Sequence, residues 1–368
     1  MHEWKSRQAE ACPTKKYDNR GEDLPGQKKF GICSAIVIAL ISCVNLAAQS
    51  GGEIVKVDPG LSAVLSADAR VEKVADGFGF VEGPVWVHNG NSGYLLFSDI
   101  PANVIRKWSP DGKASVFLEK SGFTGADASD VGYKLNNGHT EVTLIGSNGI
   151  TVDKQGRVVY CQHGNGAVER LEKDGKRTVL ASKYDGKRLN SPNDLVYKSD
   201  GALYFTDPPF GFRKVGEDPK KELPYEGVYR LADGKLQLIY KDFKAPNGIA
   251  FTPDEKYLYI NDSASKTYWK FPVKSDGTLG DGKLFFDMSS SKDVGVPDGM
   301  KIDQQGNIYG VGPGGIWILT PEGKHLGTIK FPEQPANLAW GDADGKTLYV
   351  TATTGLYRIH VNIPGIRP

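Results

Sequence analysis

Pro246-Asn247-Gly248-Ile249-Ala250-Phe251 is the stretch from which the rest of this chain can be read, because its pattern returns along the sequence. Val81-Glu82-Gly83-Pro84-Val85-Trp86, Ser147-Asn148-Gly149-Ile150-Thr151-Val152 and Pro192-Asn193-Asp194-Leu195-Val196-Tyr197 come before it. Pro297-Asp298-Gly299-Met300-Lys301-Ile302 and Pro335-Ala336-Asn337-Leu338-Ala339-Trp340 come after it. Each is a turn leading into a short apolar strand, followed by a second polar turn and a second strand. Asp153-Lys154-Gln155-Gly156-Arg157 before Val158-Val159-Tyr160 is one example. A third strand carries an aromatic or Leu, as in Gly227-Val228-Tyr229-Arg230-Leu231 and Gly315-Ile316-Trp317-Ile318-Leu319, and a fourth closes the unit, as in Leu236-Gln237-Leu238-Ile239-Tyr240. Four short antiparallel strands recurring roughly every 40 to 55 residues define a propeller blade rather than a sandwich or a solenoid. The six copies predict an all-β, six-bladed β-propeller of four-stranded antiparallel blades around a central channel. The last copy ends after its third strand, so Ala69-Arg70-Val71-Glu72-Lys73-Val74 is expected to supply the fourth and close the ring, leaving no long free edge. The interval from Glu82 to Asn148 is too long, and its excess, Ser121 to Glu141, is expected to cap one face.

Composition narrows the function classes. The chain has 368 residues, 45 of them glycine, as befits many tight turns, and a formal net charge of +1. No run of Lys or Arg exceeds two residues, so no basic stripe marks a nucleic-acid surface. Three of the four cysteines, Cys12, Cys33 and Cys43, lie in or before an N-terminal apolar stretch. That leaves Cys161, read as a buried strand residue, without a partner for a disulfide or a thiolate metal site. Lys28-Lys29 precede an apolar run, Phe30 to Leu46, then Ala47-Ala48-Gln49: the layout of a signal peptide. Residues 1–48 are therefore expected to be an N-terminal extension plus signal peptide, with its apolar region at about 30–46. Residues 49–368 are expected to be a single propeller domain. Leu40-Ile41-Ser42-Cys43 also fits a lipobox. The expected location is periplasmic or secreted, as a lipoprotein if Cys43 is acylated, with membrane contact only through the signal peptide or that lipid. The oligomeric state stays open.

The chemistry gathers at one repeat position. The second residue of each copy is Glu82, Asn148, Asn193, Asn247, Asp298 or Ala336, so five of six carry a side-chain oxygen. Innermost strands surround a propeller's channel, so equivalent positions project toward one axial point. Two carboxylates with two or three amide oxygens there make a hard, oxygen-only cage, suited to Ca²⁺. Zn²⁺ favours His or Cys, and neither recurs at this position. An incompletely filled shell leaves room for a substrate oxygen, as Lewis-acid catalysis needs. The plainer reading is that Asn-Gly and Asp-Gly are common turn dipeptides. Glu82 does not fit it, because Glu is a poor turn residue.

Glu82-Gly83-Pro84, Ser191-Pro192-Asn193-Asp194, Phe205-Thr206-Asp207-Pro208-Pro209-Phe210-Gly211, Pro246-Asn247-Gly248-Ile249 and Pro297-Asp298-Gly299-Met300 together resemble the gluconolactonase/regucalcin (senescence marker protein) family, its bacterial gluconolactonase branch above all. The resemblance implies a six-bladed propeller with one catalytic divalent cation on the residues matching Glu82, Asn193, Asn247 and Asp298. Ca²⁺ is expected first, with Zn²⁺, Mn²⁺ or Mg²⁺ as alternatives. The implied reaction opens a sugar lactone to its hydroxy acid, the cation activating the carbonyl and Asp298 acting as general base on water, or else as nucleophile. Asn148 is then a channel residue for substrate or water. Animal members carry an arginine where Ser191 stands here, with Arg188 and Asn190 nearby. Arg188, Asn190, His163 and Phe210 complete the expected substrate contacts. Asp99, Asp207 and Asp262, ending matching second strands, are expected to bond neighbouring blades. Alternatives are an esterase or phosphotriesterase resembling diisopropyl fluorophosphatase, a metal-free propeller resembling strictosidine synthase, and a non-catalytic ligand-binding propeller.

Overall fold

The structure is a computed structural model that describes residues 51–90 and 92–367. The segment read as extension and signal peptide, with Cys43, lies outside the described residues. Within them the chain is nearly all β and forms six antiparallel blades, each running outward from a first strand at the channel. The first strands are Val81–Asn89, Ser147–Val152, Leu195–Tyr197, Pro246–Phe251, Met300–Ile302 and Pro335–Gly341.

Alternation along these strands places apolar side chains between blades. One buried cluster fills each junction: Val85, Leu96, Ile150 and Tyr160 between the first and second blades, for example. Leu195, Phe205 and Tyr229 pack with Val159 and Cys161 between the second and third. The repeat supplies the bulk: Tyr204, Tyr259, Tyr309 and Tyr349 occupy matching second-strand positions, and all are fully buried, as is Tyr160 one residue out of register with them. Trp86 stacks on Tyr349 at 5.3 Å and Trp340 meets Tyr309 edge-on at 4.8 Å, so both tryptophans cement junctions either side of the last blade.

Closure occurs as expected: Glu72–Ala75 pairs antiparallel with Gly355–His360 and becomes the outer strand of the last blade. One element was not expected. Glu53–Lys56 adds a fifth strand to the fifth blade, with Ile54 opposite Ile329. The short helix Leu61–Val64 links the two N-terminal strands and buries Leu61 and Val64 in the junction beneath. The long insertion also caps a face. It forms the hairpin Lys134–Asn136/Glu141–Thr143 and docks on the loop after the third blade's second strand, where Tyr133 N–H donates to Phe210 O at 3.0 Å.

Candidate active site at the head of the inner strands

The dipeptides that could have been turns are not turns here. Asn148 and Asn247 lie inside strands, and the glycines after them allow neighbouring inner strands to touch. A Cβ on Gly149 would stand 2.5 Å from Asn193 O, and one on Gly248 would stand 2.3 Å from Asp298 O. Pairing with the second strand slips between Glu82 and Val85, and between Pro246 and Ile249. Such bulges turn the intervening side chains out of the ladder, here at the channel.

Polar side chains on the second strands hold this ring from behind. Ser98 Oγ donates to Asn148 O at 2.7 Å, Thr206 Oγ1 to Asn247 O at 2.8 Å and Asn261 Nδ2 to Asp298 O at 2.5 Å, each from one blade to the next. The sequence reading passed over these three. Their signal was positional, since each immediately precedes Asp99, Asp207 or Asp262. Those aspartates act differently from the expectation: each ties down the entry to its own blade, accepting from Gly79, Asn190 or Ala245 N–H rather than from a neighbour.

The five oxygen-bearing side chains arrive with acceptors to spare. Asn148 Oδ1, Asn193 Oδ1, Asn247 Oδ1 and Asp298 Oδ1 are buried and have no hydrogen-bond donor among the described residues. Glu82 is only 2% exposed and takes the Gly83 N–H on Oε2 at 2.6 Å. Burial raises the Glu82 pKa to about 7, with the Asp194 charge adding to it. Burial also lifts Asp298 well above the ordinary carboxylate range, and the Glu82 charge adds to that. Asp194, another carboxylate the sequence reading did not weigh, is 2% exposed. It stands where four of the other five copies have glycine and the last has Asn337, with Lys301 Nζ 3.7 Å from Oδ2.

The remaining expected residues, His163, Asn190, Arg188 and Phe210, lie as follows. His163 is fully buried, with Nε2 3.1 Å from Asn148 Nδ2 and 3.4 Å from Asn193 Nδ2, and burial drops its pKa to about 3. Asn190 is fully buried too, its Nδ2 donating to Asp207 O and Tyr225 O. Arg188 packs on Phe212 and donates to the Leu189, Asn190 and Gly164 carbonyls, so its guanidinium clamps two loops. Phe210 is half-buried under the docked insertion. Cys161 is buried and burial raises its thiol pKa, which keeps it unreactive.

Among the described residues no three His, Cys, Asp or Glu side chains form a ligand cluster, so a cation here would rest largely on amide oxygens. The residues fit such a group: four unpaired buried oxygens beside an enclosed carboxylate are hard donors lacking a partner. A cavity of about 540 Å³ lies elsewhere among the described residues. Trp86, Val152, Tyr197, Phe251, Ile302 and Trp340 line it, the sixth residues of the repeats, so it opens at the other end of the channel.

Fold and site together define a six-bladed propeller with an oxygen-rich axial centre. Residues 80–354 match the SMP-30/gluconolactonase/LRE-like region, and the chain belongs to that family. It is 39% identical over 334 residues to a gluconolactonase of Zymomonas mobilis, covering 87% of this chain and 89% of that one. A solved gluconolactonase of Xanthomonas campestris superposes with a TM-score of 0.70 at 32% identity, over 85% of this chain and 96% of that one. Regucalcin of Agrobacterium tumefaciens shares the fold, with a TM-score of 0.63 at 17% identity over 80% and 95% of the two chains.

Proposed function

We propose that this protein is a divalent-cation-dependent lactonase that opens a sugar lactone of the gluconolactone kind to its hydroxy acid, with Ca²⁺ as the cation. It is a hydrolase of lactone esters, as its family and its gluconolactonase relatives support. The observation that carries the cation is the set of unpaired oxygens on Asn148, Asn193, Asn247 and Asp298 around Glu82. Each buried acceptor without a donor costs about 1–3 kcal/mol, and a hard cation would satisfy them together. Glu82, Asn193, Asn247 and Asp298 would hold it, with Asn148 beside them. Bound there, it would supply Lewis-acid stabilisation of the negative charge that develops on the lactone carbonyl oxygen.

The chain's own side chains divide the remaining work. Glu82 is too enclosed to exchange a proton with substrate, so its part is to hold charge at the centre. Asp298 keeps partial exposure to the channel and is the carboxylate able to take a proton from an attacking water. Burial and the Glu82 charge strengthen it as a base, against the opposing pull of a cation. Arg188 and Asn190 act by fixing the loops at the rim. Residues 1–48 would direct export to the periplasm or medium.

The test is hydrolysis of D-glucono-1,5-lactone by the full chain, with chelator, with Ca²⁺ restored, and with Asp298→Asn. Activity should vanish with chelator and return with Ca²⁺, and Asp298→Asn should cost at least about a hundredfold, the usual worth of a positioned base. Full turnover in chelator would overturn the reading.

A further inference from the structure

Two of the axial amides, on neighbouring blades, share one partner. Asn148 Nδ2 and Asn193 Nδ2 both face His163 Nε2, at 3.1 and 3.4 Å. A ring nitrogen facing two amide NH₂ groups has to accept, so the imidazole is neutral and its proton sits on Nδ1. Nδ1 has no partner among the described residues, so the tautomer is decided at Nε2 alone. His163 cannot drift from this position. It is fully buried, its N–H donates to Gly146 O at 3.1 Å, and its carbonyl oxygen lies 2.3 Å from where a Gly211 Cβ would stand.

An asparagine amide whose nitrogen is held must present its oxygen on the other side. Both Oδ1 atoms are the buried, unpaired ones. Were the ring proton on Nε2, both amides would turn over to accept it and would direct their NH₂ groups at the cation site, reversing the sign of two ligand dipoles.

We infer that His163 is a positioning residue: its Nε2 lone pair holds the Asn148 and Asn193 amides so that both oxygens face the axial cation. The role rests on the cation reading above, but the tautomer can be read without any cation. It also makes Asn148 part of the cation's oxygen shell, directly or through one water.

The test has two readouts on the full-length chain. Two-bond ¹H–¹⁵N correlation of the histidine rings, with His163 assigned by its loss in His163→Gln, should show the Nδ1–H tautomer in chelator. Calorimetric titration with Ca²⁺ alone should show His163→Leu binding about tenfold or more weaker, the usual worth of an outer-shell partner. His163→Gln, whose side-chain oxygen reaches the place of Nε2, should recover most of that loss. An Nε2–H tautomer overturns the inference, as does a Leu variant that binds like the wild type or a Gln variant as weak as Leu. If the wild type binds no divalent cation, the proposed function falls and the positioning role with it, whatever the tautomer.

Discussion

Asp207 closes the second strand of the third blade and is fully buried. Oδ2 accepts the Asn190 N–H at 2.8 Å, whereas Oδ1 has no partner among the described residues. Burial pushes its pKa up to about 7, against the pull of Asn190 N–H and the Arg188 charge and with a smaller push from Glu226. A folded value above the unfolded one, near 4, means the folded state holds the proton more tightly. The stability this supplies is complete below about pH 4 and is lost as pH rises through about 7, at most about 4 kcal/mol. Asp207→Asn should remove this dependence while keeping an acceptor for Asn190. Denaturant melts at pH 5 to 8 check it: the wild type should weaken toward pH 8 relative to the variant, and parallel profiles would refute the assignment. Glu82 and Asp298 titrate in both proteins, so the difference isolates Asp207. At this scale the repeat position revealed the axial oxygens in sequence, but not what stands behind them. Ser98, Thr206, Asn261 and Asp194 look like ordinary strand or turn residues until the blades are brought together. His163 reads in sequence as a substrate contact, and its full burial against Asn193 of the neighbouring blade shows only in the fold.

Strands 72–75 and 53–56 differ in what depends on them. The first was readable because the last repeat lacked a fourth strand and a ring must close. The second was not, since a complete blade needs no fifth strand and four residues carry little pattern. Val74 on the closing strand packs into the cluster between the last and first blades, with Trp86, Phe97 and Tyr349. Val55 lies on an outer edge opposite Thr328. Val74→Asp should therefore cost about 2–4 kcal/mol, by placing a charge against that cluster and loosening the closure. Val55→Pro should cost about 1 kcal/mol, the net worth of a strand hydrogen bond. Thermal melts of the two variants decide between them, and the reverse ranking would mean the ring is not held shut at 72–75. The capping insertion was legible as an excess of chain. Its anchors, Asn137 Nδ2 on Gly79 O and Tyr133 N–H on Phe210 O, are contacts between segments far apart in sequence.

The whole ring converges on its axis, and that is where stability and activity conflict. Glu82 and Asp298 come from the first and fifth blades, and Asn148, Asn193 and Asn247 from the three between. A cation on this set would join blades that otherwise meet only through their neighbours, and the unfolded chain offers no equivalent. Without it, the channel holds the enclosed Glu82 and the partly exposed Asp298, each raised in pKa, with Asp194 near both and Lys301 beside Asp194. Two effects of opposite sign follow for Asp298→Asn. In chelator the variant should melt higher than the wild type, because one of the mutually repelling charges is gone. With Ca²⁺ at about a thousand times the dissociation constant, the wild type should gain about 4 kcal/mol by mass action. The variant should gain far less, having lost a charged ligand. Thermal melts of both proteins across a Ca²⁺ titration measure this. A crossing of the two curves as Ca²⁺ rises would mean the axial carboxylates are kept for the cation at the expense of the apo fold, a trade expected of a functional centre. Curves that run parallel from chelator to saturation would mean the charges serve the fold itself, and the cation would have no place in the account.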